Sequence, residues 1–212
     1  MENPVIILGA NYVGRIAKEI FESNQVVVYG FLDDDQKLHN TDIDDVSVLG
    51  GTDDEGFLKL IGKKCEAFVA VDDNALRKNL VNMIQEVRHK QPVNAIHAGA
   101  SVSVKADVGH GNLIDNGAII APGARVGSHC LINARSFIGV EAKVGDFVQV
   151  GSGTLINPGV TIENEVFIGS GVIIVSGVTI GKGARVGAGA VVIASVKSNE
   201  TVFGNPALPV KR

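Results

Sequence analysis

The chain has 212 residues, a length that admits one large domain or two small ones, and its composition is that of a globular protein. A formal net charge of −4 argues against a general nucleic-acid binder, which needs a basic excess to neutralise phosphates. Glycine is abundant at 26 residues and tryptophan is absent, which points to many tight turns around small interior residues.

The opening segment MENPVIILGA carries no basic leader, and its apolar run is too short for a signal peptide or a membrane span, so a cytoplasmic protein is expected. From Pro4 to about Ile96 short β-branched runs alternate with helical patterns. PVIIL, QVVVYGFL and AFVAV read as buried strands. Between the first two, Val13, Ile16, Ala17, Ile20 and Phe21 fall at helical spacing. After the third, Leu76, Leu80, Met83, Ile84 and Val87 do the same, with Asp72, Asp73 and Asn74 as available caps. This pattern predicts a small Rossmann-like βαβ domain with a parallel sheet over residues 1–95.

From Ile96 the period changes to six and does not slip: Ile or Val stands at every sixth position through Ile120, Ile138, Ile156 and Ile174 to Val192. Four residues after each stands a small or β-branched residue, with Asn112 the one misfit, and glycines fill many intervening positions. Neither an α-helix nor a flat strand has this period, whereas the stacked coils of a left-handed parallel β-helix do, three hexads to a coil. Residues 96–212 are therefore predicted to form such a helix with a C-terminal tail, KSNETVFGNPALPVKR, over its end.

Several positions invite chemistry. LGANYVG follows the first strand and opens the first helix, supplying Gly9 and Gly14 of a G-x-G-x-x-G loop but Asn11 in place of the middle glycine. The helix N-terminus is expected to offer free N–H groups to an anion, and Asp33 and Asp34 to accept from ribose hydroxyls or a uracil. The alternative is that GFLDDD is only a solvated strand end. An NAD-dependent enzyme fits poorly without the middle glycine. His39 and His89 read as surface residues and His97 as part of the domain junction. His110 and His129 fall one coil apart on one face, but a zinc site needs a third ligand and none follows, so no metal is expected. Cys65 and Cys130, in dissimilar contexts, read as reduced, buried thiols.

GFLDDD, VLGG, VAVDDNALRK, AIHAGASVS, GDFVQVGSGTLINPGV, FIGSGVIIVSGVTIG, VGAGAVV and GNPALPV occur in an order that resembles the hexapeptide-repeat sugar acyltransferases. The type is that of the UDP-4-amino-sugar N-acetyltransferases and sialic acid O-acetyltransferases. The resemblance implies that the small domain holds the nucleotide of the sugar through Gly9, Ala10, Asn11, Asp33 and Asp34. It implies a homotrimer in which acetyl-CoA lies in the groove between two subunits, near Gln149, Gly151, Gly169 and Gly187. The substrate is then an acetyl acceptor, the amino or hydroxyl group of a nucleotide-linked sugar, with no nucleic acid or membrane involved. The sequence departs from the family at the chemistry. Where a His–acid pair precedes IGDFVH, the chain has Val140 and Glu141. Gln149 replaces a second histidine, and Val13 stands where the glycine loop has one. Two readings follow: an acetyltransferase in which Glu141 takes the proton, directly or through water, or a catalytically silent relative that keeps nucleotide or CoA sites.

Overall fold

A computed structural model describes residues 3–210, and the chain divides into two compact units between Ala98 and Gly99. In the first, β1 (Val5–Leu8), β2 (Val28–Leu32), β3 (Asp42–Ile43), β4 (Val46–Gly50) and β5 (Glu66–Val69) form one sheet in the order β3-β4-β2-β1-β5. All pairs are parallel except the β3–β4 hairpin, an edge that the hydrophobic pattern did not announce because β3 is two residues long.

Helix α1 (Tyr12–Ser23) buries Val13, Ala17, Ile20 and Phe21 as its spacing predicts. A short helix, α2 (Glu55–Leu58), follows β4. Helix α3 (Asn74–Arg88) is rotated from the predicted face: it buries Arg77, Leu80, Val81 and Ile84, while Leu76 and Val87 are exposed. The cause is Arg77, which is 1% exposed and sends Nη1 to the carbonyls of Val71 (2.5 Å) and Asp72 (3.3 Å), with Nη2 donating to Asn74 Oδ1. A buried guanidinium must have such acceptors, and three turn atoms supply them.

The second unit is the left-handed β-helix. Each strand pairs in parallel with the one three hexads on, Ile119 with Phe137 and Phe137 with Leu155, so three flat faces form a prism. Every sixth-position aliphatic from Ile114 to Val192 points inward and is buried. Removing each from water contributes about 1.5–3 kcal/mol. The small residues beside them are also buried, and several donate across coils: Ser136 Oγ to the Gly151 carbonyl (3.1 Å) and Thr154 Oγ1 to that of Gly169 (3.0 Å). Asn112 is fully buried, its Oδ1 accepting from Cys130 N–H at 2.7 Å and its Nδ2 donating to Gly127 O at 2.8 Å. The misfit is a polar staple between coils. The tail continues the stack, Thr201 pairing with Arg185, and then turns back as a hairpin that joins Phe203 to Leu208. No described helix is long and apolar enough to cross a membrane.

Candidate functional site

The first unit carries an open cleft of about 390 Å³ at the carboxyl ends of β1, β2 and β5, the position where open α/β sheets bind ligands. Gly9, Ala10, Asn11, Asp33 and Asp34 all line it, so the five predicted contacts converge. Gly9 has φ +113°, and a side chain there would strike the Ala70 carbonyl; one on Gly14 would strike Gly9 O. Both glycines are required by close packing of strand, turn and helix.

The predicted polar groups are already engaged. Asp33 accepts the Ala10 N–H at 2.7 Å through Oδ2 and the Asp35 N–H at 2.9 Å through Oδ1. Asp34 Oδ1 accepts both the N–H and the hydroxyl of Thr52 at 2.8 Å. Asn11 is the N-cap of α1, its Oδ1 accepting from Val13 (2.8 Å) and Gly14 (3.3 Å). The expectation of free N–H groups at this helix end is therefore corrected: two of them are closed by the residue that replaced the middle glycine. His39, expected on the surface, is half-buried, with Nε2 2.7 Å from the Asp33 carbonyl. Tyr12, which the sequence reading passed over, reaches across from α1 to donate its hydroxyl to Asp72 at 3.1 Å. Burial, then the Asp72 carboxylate, pushes the Tyr12 phenol above its ordinary value. The exposed carboxylates on the rim suit hydroxyl or N–H donors of a ligand.

In the second unit every sixth residue from Gly111 to Gly189 has a positive φ, forming the corners of the prism. Glycine takes this conformation without cost, but five of these corners are His129, Arg135, Glu141, Phe147 and Glu165. Each costs on the order of 1 kcal/mol relative to an unstrained residue, and four of the five are consecutive corners. Glu141 is exposed at the corner that ends the Phe137–Ile138 strand, next to Val140, which is 42% exposed. The apolar valine thus presents itself where the resemblance places a base.

Gln149 stands half-buried on a different face, pairing with Leu131 and Phe167. Gly151, Gly169 and Gly187 form a column at that face's edge. A side chain on Gly151 or Gly169 would strike the backbone of the next coil, at Ser170 and Ala188, and one on Gly187 would strike the Phe203 side chain. What these glycines permit is first of all coil-on-coil approach. The corner beyond this column is Arg135, Gly153, Gly171 and Gly189, and nothing lies within 4 Å of a side chain built on the last three. Within one chain, therefore, the four predicted cofactor residues gather on one face and Glu141 lies on a corner away from it.

His110 and His129 lie on neighbouring coils of the second unit. His129 is buried, its N–H donating to His110 O at 2.7 Å, so the two histidines are neighbours in the backbone as their spacing predicts. Its ring stacks on Phe147. Among the described residues no three His, Cys, Asp or Glu side chains gather in a way that could hold a metal ion. Cys65 and Cys130 are both buried and free of disulfides, as read from the sequence.

Residues 4–84 match the model of the PglD N-terminal domain, and residues 159–194 match that of the bacterial transferase hexapeptide (six repeats). The chain thus joins an N-terminal domain of the PglD type to hexapeptide repeats of the bacterial transferase type. Solved structures extend the likeness to the whole length. Perosamine N-acetyltransferase from Caulobacter crescentus, in a histidine-to-asparagine form with CoA and GDP-perosamine, is 26% identical with a TM-score of 0.91 over 100% of this chain and 99% of that one. WeeI from Acinetobacter baumannii is 25% identical, with a TM-score of 0.84 over 98% and 99%. The acetyltransferase domain of PglB from Neisseria gonorrhoeae, in complex with acetyl coenzyme A, shares the fold at 24% identity and a TM-score of 0.90, over 99% and 100%. Comparison with curated proteins gives no significant match. The hexapeptide-repeat protein described here thus shares both units, in the same order, with sugar N-acetyltransferases.

Proposed function

We propose that this protein is a cytoplasmic homotrimeric acetyltransferase that moves an acetyl group from acetyl-CoA to the amino or hydroxyl group of a nucleotide-linked sugar. The observation that carries the reading is the whole-length similarity to an N-acetyltransferase seen with both CoA and GDP-perosamine. The cleft lined by Gly9, Ala10, Asn11, Asp33 and Asp34 supports a nucleotide site. The column of Gly151, Gly169 and Gly187 with Gln149 supports the acetyl-CoA lane.

A homotrimer is favoured by the outward residues of one face, Ile119, Phe137, Leu155, Ile173 and Val191, an apolar ladder. The face beside it carries Asp107, Arg125, Lys143, Thr161 and Thr179 instead. An exposed apolar face of this length is an association surface. Burying it between copies also brings the corner of Glu141 on one copy toward the cofactor column of another, which a single chain keeps apart.

In this reading Glu141 is the general base. The sugar amine attacks the thioester carbonyl carbon, its proton passes to the Glu141 carboxylate directly or through one water, and the carbon–sulfur bond breaks. The CoA sulfur leaves and takes up a proton, giving the amide and free CoA. A second reading, a silent nucleotide- or CoA-binding relative, is favoured by Val140 and by Gln149 at the family's histidine positions. The test is release of free CoA from acetyl-CoA in the presence of nucleotide-linked amino sugars. Release that is lost in Glu141→Ala supports the transferase. No release with any acceptor, together with a CoA-dependent rise in melting temperature, selects the silent relative.

A further inference from the structure

We infer that Arg135 of one copy lies across the subunit groove from Glu141 of the neighbouring copy and positions its carboxylate. What Glu141 does there rests on the acyl-transfer reading; the pairing itself does not.

Arg135 and Glu141 are adjacent non-glycine corners, both exposed, and both hold backbone that a glycine would adopt without strain. Among the described residues neither side chain has a hydrogen-bond or ion-pair partner in its own chain. They stand at the two ends of one strand, Phe137–Ile138, so they mark the two long edges of the apolar face. Copies that turn this face toward a common axis parallel to the coil stack meet edge to edge, and rotation brings the Arg135 edge of each against the Glu141 edge of the next. Identical residues then lie at equal heights in all copies.

Height selects the partner. Neighbouring coils are about 4.8 Å apart, so a shift of one corner, a third of a coil, displaces Arg135 from Glu141 by only about 1.6 Å along the axis. The residues above and below Arg135 on its edge are Gly153 and Gly117, which have no side chain to offer. Arg135 is thus the one corner position with a side chain in the column Gly117, Arg135, Gly153, Gly171 and Gly189, and its long planar guanidinium can hold both oxygens of the neighbour's Glu141 carboxylate. It also borders the column of Gly151, so the pair would stand beside the predicted thioester.

Two measurements on the full-length protein test this. In the first, Arg135→Cys and Glu141→Cys are combined in one chain and treated with a short bismaleimide; the native cysteines are buried. Covalent dimers and trimers on a denaturing gel are expected from the double variant, with each single variant staying monomeric. Monomers alone from the double variant would overturn the pairing. In the second, Arg135→Gln is expected to lower kcat about tenfold with the KM for the sugar little changed, and Arg135→Lys to recover most of the loss. A Gln variant with unchanged kcat, or one altered only in KM, overturns the positioning role. If the unsubstituted protein releases no CoA, the acyl-transfer reading fails, and the cross-link still decides the pairing.

Discussion

Asn11 Oδ1 accepts the backbone N–H of Val13 at 2.8 Å, so the residue that interrupts the glycine loop is also the cap that closes the helix behind it. Replacing it separates the two effects. Asn11→Ala is expected to cost about 1 kcal/mol of stability, and Asn11→Gly only a few tenths. The glycine variant also uncovers the N–H groups of Val13 and Gly14, so its affinity for a nucleoside diphosphate should rise. Denaturant melts and calorimetric titration with UDP and GDP check both.

Arg77 holds the turn after β5 from beneath the cleft. Arg77→Met keeps the stem but strands the carbonyl of Val71 without its donor, and a loss of about 2–4 kcal/mol is expected. Denaturant unfolding should show a lower midpoint with an unchanged slope. An unaffected midpoint would mean the turn holds itself.

A lattice consensus would place alanine or valine at position 112. Asn112→Val is nonetheless expected to destabilise by about 1–3 kcal/mol, because it takes the Asn112 amide away from the buried Cys130 N–H and the half-buried Gly127 carbonyl. Thermal unfolding of the variant measures this directly.

Alkaline pH should weaken the fold through Cys65. Burial pushes this thiol up, and the Glu66 carboxylate acts in the same direction. The folded protein therefore keeps the proton to higher pH than the unfolded chain does, and stability declines as pH rises through and beyond the ordinary thiol range. Cys65→Ala should flatten that decline in unfolding free energy against pH. The same burial predicts slow reaction of the native thiols with aromatic disulfide reagents, which keeps the background of a free-CoA assay low.

The six-residue lattice was legible because each strand contributes one inward Ile or Val, and a slip of one residue would have turned that stack to solvent. The cleft was legible for a similar reason, since Gly9 and Asp33 sit at strand ends in a βαβ pattern. What the pattern hid was polar. The rotation of α3 depends on Arg77 finding carbonyl acceptors, and the role of Asn112 depends on a coil laid down later in the chain. The closure of the α1 terminus follows from Asn11, whose capping chemistry competes with the glycine-loop reading at the same position. The strained corners were half visible: glycine three after each aliphatic is the rule, so His129, Arg135, Glu141 and Phe147 were marked by the absence of glycine. Only a backbone angle shows that these residues adopt the glycine conformation regardless.

The role proposed for Glu141 is that of base in an acetyl transfer. Its most direct measurement is the rate of free-CoA formation from acetyl-CoA with a panel of nucleotide-linked amino sugars, for the native protein, Glu141→Gln and Val140→His. Sugar-dependent turnover is expected in the native protein, with a loss of about 10²–10⁴-fold in Glu141→Gln. Turnover unchanged in Glu141→Gln, or turnover that arises only once Val140→His is introduced, would contradict it.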